Sequence, residues 1–538
     1  MPESMRITLS QLNFVVGDIA GNTEKMIAAA RQAADQGSEL IVFSELALTG
    51  YPPEDLLLRP SLQLRVEAAL QQLLPVSQDI ALALGFPWQE QGRLLNCAAL
   101  YYQGECLGRY AKQCLPNYQV FDEKRYFAAG DQPCVVTLKG RRFGLTVCED
   151  IWHQGPAEQS VAAGAEMILN LNASPFHQEK QQQRIELIQQ HVRALNVPLL
   201  YVNQVGGQDE LVFDGRSFAV AADGTLVHQL AAYQPDSAQL LWDTQLSCPL
   251  PPLSATSELA SLYDALVLGV RDYVNKNGFK GVVLGLSGGI DSALTLAIAA
   301  DAIGPERVKA IMMPFAYTSD MSKADAAEQA ERMGVAYESV SIEPMYNAFM
   351  AALAPQFDGL PRDTTEENLQ ARCRGVLLMA VSNKTGYMVL TTGNKSEMAV
   401  GYATLYGDMV GGYSALKDVY KTRVFELAEY RNTLGYTIPQ RVIDRPPSAE
   451  LAPDQKDEDS LPPYDVLDAI LERYIEQDMS ADSIIAAGFE RADVLRVLRL
   501  VDINEYKRRQ APIGVRVTQR GFGRDRRYPV TNGWQAGI

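Results

Sequence analysis

The octapeptide Gly285-Leu286-Ser287-Gly288-Gly289-Ile290-Asp291-Ser292 constrains this 538-residue chain more than any other stretch. The apolar run Val282-Val283-Leu284 precedes it, and Ala293-Leu294-Thr295-Leu296-Ala297-Ile298-Ala299-Ala300 follows. This succession predicts a buried strand, a tight glycine-rich turn and a helix. Small residues let backbone N–H groups point into a concavity at the helix N-terminus, a place that binds anions. No Gly-Lys-Ser/Thr follows, so the turn is not a Walker P-loop. The Gly-Gly pair alone would mark an ordinary turn; the whole octapeptide after a strand points to a phosphate-binding loop.

Composition narrows what surrounds that loop. The length allows roughly two to four domains with ample core. A hydrophobic content of 47% and a charged content of 21% describe a globular protein. The net charge of −17 argues against nucleic acid or an anionic membrane as the main partner. No apolar run is long enough to cross a bilayer. The start, Met1-Pro2-Glu3-Ser4-Met5-Arg6, has no signal-peptide pattern, and a cytoplasmic location is expected. The seven cysteines are scattered, with no C-x-x-C pair to suggest a zinc ribbon or disulfide frame. With only four histidines, chemistry must lean on carboxylates, lysine, thiol and bound metal.

The run Cys248-Pro249-Leu250-Pro251-Pro252-Leu253-Ser254 reads as a linker. It divides the chain into an expected first domain at 1–246, a linker at 247–258 and a second domain at 259–538. Before it, apolar β-rich runs alternate with helical stretches. The strand candidates are 6–10, 40–43, 80–84, 98–102, 143–147, 167–171 and 199–202, and Asn22 is read as the cap of an amphipathic helix stopping at Gly37. This is an α/β layered domain. After the linker the alternation resumes with strands at 308–313, 337–340 and 387–392 and a helix at about 322–333. A long helix near 365–385 starts at an apparent capping box, Thr364 to Glu367. Strand and helix in alternation behind a phosphate loop imply a doubly wound parallel sheet, whose ligands sit at the carboxyl ends of the strands. The polar, proline-bearing stretch 445–463 is too long for a simple connection and reads as a functional loop rather than a disordered one.

Three residues of the first domain stand where strands are expected to end. Glu45 follows 40–44, Lys112 follows Gly108-Arg109-Tyr110-Ala111, and Cys148 follows 143–147 and precedes Glu149-Asp150-Ile151-Trp152. An amide carbonyl is a poor electrophile, so a thiolate that passes through a thioester splits the step in two. Glu45 can act as general base toward Cys148. The acids after Cys148 would raise its pKa, and Lys112 can supply the opposing cation and stabilise a tetrahedral oxyanion. In their contexts, Ser-Glu-Leu-Ala-Leu-Thr-Gly-Tyr-Pro-Pro, Leu-Pro-Asn-Tyr-Gln-Val-Phe-Asp-Glu-Lys-Arg-Tyr-Phe and Leu-Thr-Val-Cys-Glu-Asp-Ile-Trp, the three resemble the Glu-Lys-Cys triad of the nitrilase superfamily. That resemblance implies an α-β-β-α layered fold and glutamine as the amide cleaved, with ammonia handed to the second domain. It also implies glutamine contacts at Tyr118, Ser174 and Lys180. Glu123 is a further acid that could help in the site.

In the second domain, Gly285, Leu286, Ser287, Gly288, Gly289, Ile290, Asp291 and Ser292 are the expected ATP-phosphate loop. Its one acid, Asp291, would oppose phosphate unless a cation lay between, which makes it a candidate Mg2+ ligand. Glu397, in Thr391-Thr392-Gly393-Asn394-Lys395-Ser396-Glu397, is a second candidate for metal or substrate. Thr392 is placed for ATP, and Lys421 is a candidate phosphate contact. The S-G-G-x-D-S pattern resembles the pyrophosphate loop of the N-type ATP pyrophosphatases, which cleave ATP between the α- and β-phosphates. With Thr-Thr-Gly-Asn-Lys-Ser-Glu, Tyr406-Gly407-Asp408 and the acidic run 457–464, the domain resembles the NAD+ synthetases, and the nitrilase-like half narrows this to the glutamine-dependent ones. The resemblance implies a Rossmann-like sheet and amidation of deamido-NAD+ at the expense of ATP. It also implies dinucleotide contacts at Asn368, Glu397 and Lys507, and a homo-oligomer. A free-standing amidase with a non-catalytic nucleotide-sensing domain is disfavoured by the intact loop, and a GMP synthetase by the nitrilase-like domain.

The tail offers another reading. Lys507, Arg508, Arg509, Arg516, Arg520, Arg524, Arg526 and Arg527 make it basic within an acidic chain, as an RNA-binding segment would be. No aromatic-studded platform for single strands accompanies them. Small-molecule substrates, with no nucleic acid and no membrane, are the expected partners.

Overall fold

Runs of Val, Ile, Leu and Ala that are apolar on both faces form strands buried on both sides, and such strands organise this molecule. A computed structural model describes residues 4–250, 256–448, 450–452, 457 and 461–534. Linker positions 251–255, position 449 and most of the acidic part of the 445–463 stretch (453–456 and 458–460) lie outside the described residues. The chain separates into two units, Met1–Thr256 and Ser257–Ile538.

In the first unit, β1 (Met5–Gln11), β2 (Leu40–Val42), β3 (Ala81–Glu90), β4 (Arg93–Tyr102) and β5 (Glu105–Ala111) belong to one sheet. The second sheet takes β6 (Cys134–Leu138), β7 (Arg141–Val147), β8 (Met167–Asn172) and β9 (Leu199–Asn203). After the small hairpin β10 (Val205–Gln208) and β11 (Leu211–Asp214), the second sheet gains β12 (Phe218–Val220) and β13 (Leu226–Gln229). The first sheet closes with β14 (Asp236–Trp242) and β15 (Leu246–Ser247). The orders are β15-β14-β1-β2-β3-β4-β5 and β13-β12-β9-β8-β7-β6. The sheets pack face to face through Ile7, Val42, Ala83 and Leu100 on one side and Phe143, Leu145, Leu169 and Val202 on the other. Helices α1 (Ile19–Asp35) and α2 (Pro60–Leu73) cover the outer face of the first sheet. Helices α3 (Pro156–Ala162) and α4 (Lys180–Leu195) cover that of the second. This is the expected α-β-β-α layering.

The second unit starts with α5 (Glu258–Lys276), capped by the Ser257 side chain. Strands β16 (Val282–Gly285), β17 (Val308–Met312), β18 (Ala336–Ser339), β19 (Met388–Thr391) and β20 (Tyr413–Ser414) form an all-parallel sheet in the order β18-β17-β16-β19-β20. Helices α6 (Ile290–Ile303), α7 (Asp320–Met333), α8 (Glu343–Phe357) and α9 (Thr364–Thr385) provide the crossovers. They are followed by α10 (Lys395–Val400), α11 (Lys421–Thr433) and α12 (Gln440–Asp444). A C-terminal layer is built from α13 (Tyr464–Ile475), α14 (Ala481–Ala486), α15 (Arg491–Ile503) and α16 (Glu505–Arg508). The strand order reverses between β16 and β19. In a doubly wound sheet that reversal opens the ligand crevice, and here it is flanked by the octapeptide and the 392–397 loop.

Two helix starts differ from the sequence reading. The cap of α1 is Asp18, whose carboxylate accepts from the Gly21 N–H; Asn22 lies inside the helix, fully buried. Its amide accepts from Val15 N (2.9 Å) and donates to Val15 O (2.8 Å) and Leu48 O (3.2 Å), pinning the loop before the helix. The box of α9 runs from Asp363 to Glu366, one residue earlier than Thr364 to Glu367, because the Asp363 carboxylate accepts from the Thr365 N–H (2.7 Å) and Glu366 accepts from the Asp363 N–H (3.0 Å). These contacts predict different losses. Asn22→Ala strands buried groups of the 15–22 turn and should cost about 1–3 kcal/mol. Asp18→Ala removes an exposed cap and should cost about 1 kcal/mol. Denaturant midpoints of the two variants check the order; an Asp18 loss larger than the Asn22 loss would contradict it.

Candidate functional site

In the first unit, strand direction gathers the expected residues at one end. β2 and β3 are parallel, and β3, β4 and β5 alternate in direction, so the carboxyl ends of β2 and β5 and the start of β4 lie on the same edge. Glu45 follows β2, Lys112 follows β5, and Asn96 lies near the start of β4. The backbone of Glu45-Leu46 crosses β3 at Gly85, where an added Cβ would sit 2.5 Å from Leu46 N, so only glycine permits that approach. The Lys112 Nζ donates to Glu45 Oε1 (2.8 Å) and lies 2.9 Å from both oxygens of Glu123. Asn96 Nδ2 donates to Glu45 Oε1 (2.7 Å), Ala173 N donates to Glu45 Oε2 (3.1 Å), and Tyr51 OH donates to Glu123 Oε1 (2.8 Å). Glu45, Lys112 and Glu123 are all buried.

Cys148 stands at the end of β7, buried, with φ of 44° at the start of a short 3-10 turn, Cys148–Trp152. A left-handed non-glycine backbone costs roughly 1–2 kcal/mol and persists only where its surroundings hold it. Asp150 supplies that hold. Its carboxylate accepts from Val147 N (2.9 Å), Gln113 N (3.0 Å), Cys114 N (2.8 Å) and Tyr110 OH (2.8 Å), tying the thiol's turn to the segment that carries Lys112. The thiol is pushed well above its ordinary value by burial and then by Glu45, while Lys112 pulls it down. Burial works against the charge of Lys112, but Glu123 and Glu45 more than offset it and hold the ammonium above its usual range.

The three glutamine candidates surround the same turn. Tyr118, half-exposed, donates to Glu149 (3.0 Å), the residue after Cys148. The Lys180 ammonium lies 3.8 Å from the centroid of the Trp152 ring. Ser174 follows β8; its N–H donates to Asn203 Oδ1 (2.9 Å) and its hydroxyl accepts from the buried Arg184, which pairs with Asp214 at 2.8 Å.

In the second unit the octapeptide turns as expected. Gly288 has φ of +81°, and a Cβ there would meet Ser322 O at 2.3 Å. Ser292 Oγ accepts from Ser287 N (3.2 Å) and donates to Gly289 O (3.0 Å), closing the turn, and Arg445 donates to the Gly288 carbonyl. Across the switch point, Asn394 Nδ2 donates to Asp291 Oδ1 (2.8 Å) and Asn394 Oδ1 accepts from Glu397 N (3.0 Å). Lys421, at the start of α11 and buried, donates to Asp291 Oδ2 and reaches Glu397 Oε1 at 3.3 Å. The two acids therefore converge on one cation. Burial raises the pKa of Glu397 and Lys421 lowers it. Lys421 was expected to meet phosphate; here its ammonium lies between the acids. Thr392 lies in the loop just after β19. Asn368 and Lys507 meet the same segment after α10: Thr404 Oγ1 donates to Asn368 Oδ1 (2.8 Å), and Lys507 Nζ donates to Gly401 O (2.7 Å) and Ala403 O (2.8 Å). Among the described residues, no group of three or more His, Cys, Asp or Glu side chains could hold a metal ion, and no helix is long and apolar enough to cross a membrane.

Comparison with known proteins settles the family. A carbon-nitrogen hydrolase profile matches residues 6–239 and a NAD synthase profile matches 262–511. The chain is 53% identical over 538 residues to the glutamine-dependent NAD(+) synthetase of Acinetobacter baylyi, covering 99% of each. It is 42% identical over 564 residues to that of Aquifex aeolicus, covering 98% of this chain and 99% of the other. The chain belongs to the glutamine-dependent NAD(+) synthetase family. The structure of the glutamine-dependent NAD+ synthetase of Acinetobacter baumannii, in complex with ADP, matches with a TM-score of 0.81 at 50% identity over 100% of both chains. The Cytophaga hutchinsonii protein of the same name shares the fold, with a TM-score of 0.85 at 22% identity over 99% of this chain and 98% of the other.

In this family member, sequence reasoning did not mark Asn96, Tyr51, Arg184 or Asn394. Each is placed by pairings distant in sequence. Only Asn394 carried a local signal, as the helix cap before Glu397. The balance of charge around Cys148 yields a prediction. Because Glu45 raises the thiol pKa and Lys112 lowers it, the pH inflection for alkylation of Cys148 by iodoacetamide should fall in Glu45→Gln and rise in Lys112→Met. Peptide mapping of the alkylated residue against pH reads this, and inflections that move together would refute the balance.

Proposed function

We propose that the chain makes NAD+ from deamido-NAD+, ATP and glutamine, with the nitrogen released in the first unit and used in the second. The observation that carries this reading is the presence, in one chain, of a buried thiol-carboxylate-lysine centre and a phosphate-type loop whose acid converges with a second acid on one cation. In the first unit Glu45 takes the Cys148 proton as the sulfur attacks the glutamine amide carbon. The carbon–nitrogen bond breaks, the proton leaves with ammonia, and water then cleaves the thioester to glutamate. Lys112 offsets the charge on sulfur and on the tetrahedral oxygen. Glu123 and Tyr51 hold Lys112 in place. Tyr118, Ser174 and Lys180 border the turn and would bind the polar ends of glutamine.

In the second unit, Gly285 to Ser292 and Thr392 would hold ATP, and Asn368, Glu397 and Lys507 the dinucleotide. The nicotinate carboxylate attacks the α-phosphorus, pyrophosphate leaves, and ammonia displaces AMP from the acyl carbon. Asp291 and Glu397 fit a Mg2+ ion: both offer hard oxygen donors, both already face a cation, and phosphate and water oxygens would complete its shell. Bound there, the ion would neutralise charge on the phosphates. Lys421 would then be free to pair with a phosphate oxygen. A cytoplasmic location and a homo-oligomeric state belong to this reading, as does the division into 1–246, 247–258 and 259–538.

Two variants separate the sites. Cys148→Ala should abolish glutamine-dependent NAD+ formation and leave ammonia-dependent formation near wild type. Asp291→Asn should stop pyrophosphate release with either nitrogen source. The assay is pyrophosphate and NAD+ formation from deamido-NAD+ and ATP with glutamine or ammonium. Loss of the ammonia reaction in folded Cys148→Ala, or wild-type pyrophosphate release by Asp291→Asn, would refute the division of labour.

A further inference from the structure

Much of the basic tail is tied to acids. Arg516 pairs with Asp525, Arg508 and Arg526 with Glu505, and Arg520 with Asp478. Residues 512–521 run along the sheet edge instead. Gly514 bridges Ser414 of β20 in parallel, Ser414 N donates to Ile513 O (2.9 Å), and Lys417 Nζ donates to Pro512 O (2.6 Å). The next residues close on a buried lysine. The Lys395 Nζ, removed from solvent, lies 2.8 Å from Asp418 Oδ1 and 2.9 Å from Glu476 Oε1. It donates to Thr518 Oγ1 (2.7 Å) and Arg520 O (3.0 Å). Asp418 in turn accepts from Val517 N (2.8 Å), Thr518 N (2.8 Å) and Thr518 Oγ1.

Lys395 is the first residue of α10. Its neighbours on one side of the motif, Asn394 and Glu397, face the candidate ATP site. Asp418 lies three residues before Lys421, whose N–H donates to Ser396 Oγ (2.9 Å). Both groups that converge on the Asp291 carboxylate thus hang from backbone fixed by this one ion cluster. We propose that Lys395, locked by Asp418, Glu476 and the segment 512–521, is a positioning residue for adenylation. The segment, which lies beyond the residues matched by the NAD synthase profile, is then a working part of the second site. A buried ammonium between two carboxylates has a steep, directional energy well, because each partner loses heavily if the geometry slips. That is what a site needs when a displacement of an ångström costs rate. This inference rests on the adenylation reading given under Proposed function.

The test uses the full-length chain with ammonium, ATP and deamido-NAD+. Lys395→Met should lower kcat for pyrophosphate release on the order of a hundredfold. It strands Asp418 and Glu476 and can fail to fold, so Thr518→Val serves as the second variant. It keeps the side-chain shape, removes the hydroxyl from Lys395 and Asp418, and should lower kcat roughly tenfold, as loss of an outer-shell partner typically does. Glutaminase turnover, which Thr518 does not touch, should stay at the wild-type value, while the melting temperature should fall modestly because the hydroxyl is a buried donor and acceptor. A Thr518→Val protein with wild-type kcat, whether or not its melting temperature falls, overturns the proposal. Absence of pyrophosphate release by the wild-type protein would instead refute the adenylation reading itself.

Discussion

Taking a carboxylate out of water costs several kcal/mol unless a cation accompanies it, and this chain repeatedly buries two carboxylates around one lysine. Lys112 lies between Glu45 and Glu123, Lys421 between Asp291 and Glu397, and Lys395 between Asp418 and Glu476. Each trio leaves an excess negative charge if both acids are ionised. In the first unit that excess, with burial, pushes the Cys148 thiol well above its ordinary value. In the second it makes the pair of acids receptive to a second cation. The same arrangement therefore stands beside a buried thiol in one unit and beside a glycine-rich turn at the sheet's switch point in the other.

The layered architecture was legible because buried parallel strands are written as continuous apolar runs. β7, β8 and β9 are such runs, and so are β16 and β17. Short strands of mixed composition were marked in part or not at all: of β5, which carries Glu105 and Arg109, only the end before Lys112 was read, and β12 is three residues long. Helix starts were misread where two capping residues lay close together. Asp18 and Asn22 are both good caps by type; which one caps was decided by the burial of Asn22 against Val15 and Leu48, a tertiary fact.

The candidate site was legible to a different depth in its two shells. Glu45, Lys112 and Cys148 follow strand ends and Asp291 opens the helix after one, and such places can be read from pattern. The groups that orient them cannot. Asn96 reaches Glu45 only because β3 lies between β2 and β4. Asp150 looked like a second acid beside the thiol, yet three backbone N–H groups and the Tyr110 hydroxyl claim it. The pairing of the tail was hidden for the same reason. Its arginines read as a basic run, but their partners Glu505, Asp525 and Asp478 are acids that folding brings to them.

Topology explains why the second centre is assembled from so many separate segments. In the order β18-β17-β16-β19-β20, the loops after β16 and β19 leave the sheet as neighbours whose crossovers lie on opposite faces. Each brings one acid to the crevice, Asp291 from the first and Glu397 from the second. The balancing lysine must then come from a third connection, the one after β20. That strand is only two residues long and lies at the sheet edge, so its own ladder fixes it weakly. The parallel bridge from Gly514 and the Asp418–Lys395 contact supply the constraint the short strand lacks. A third loop can carry Lys421 with the accuracy of the first two because the end of the chain returns to the edge of the sheet and is pinned there.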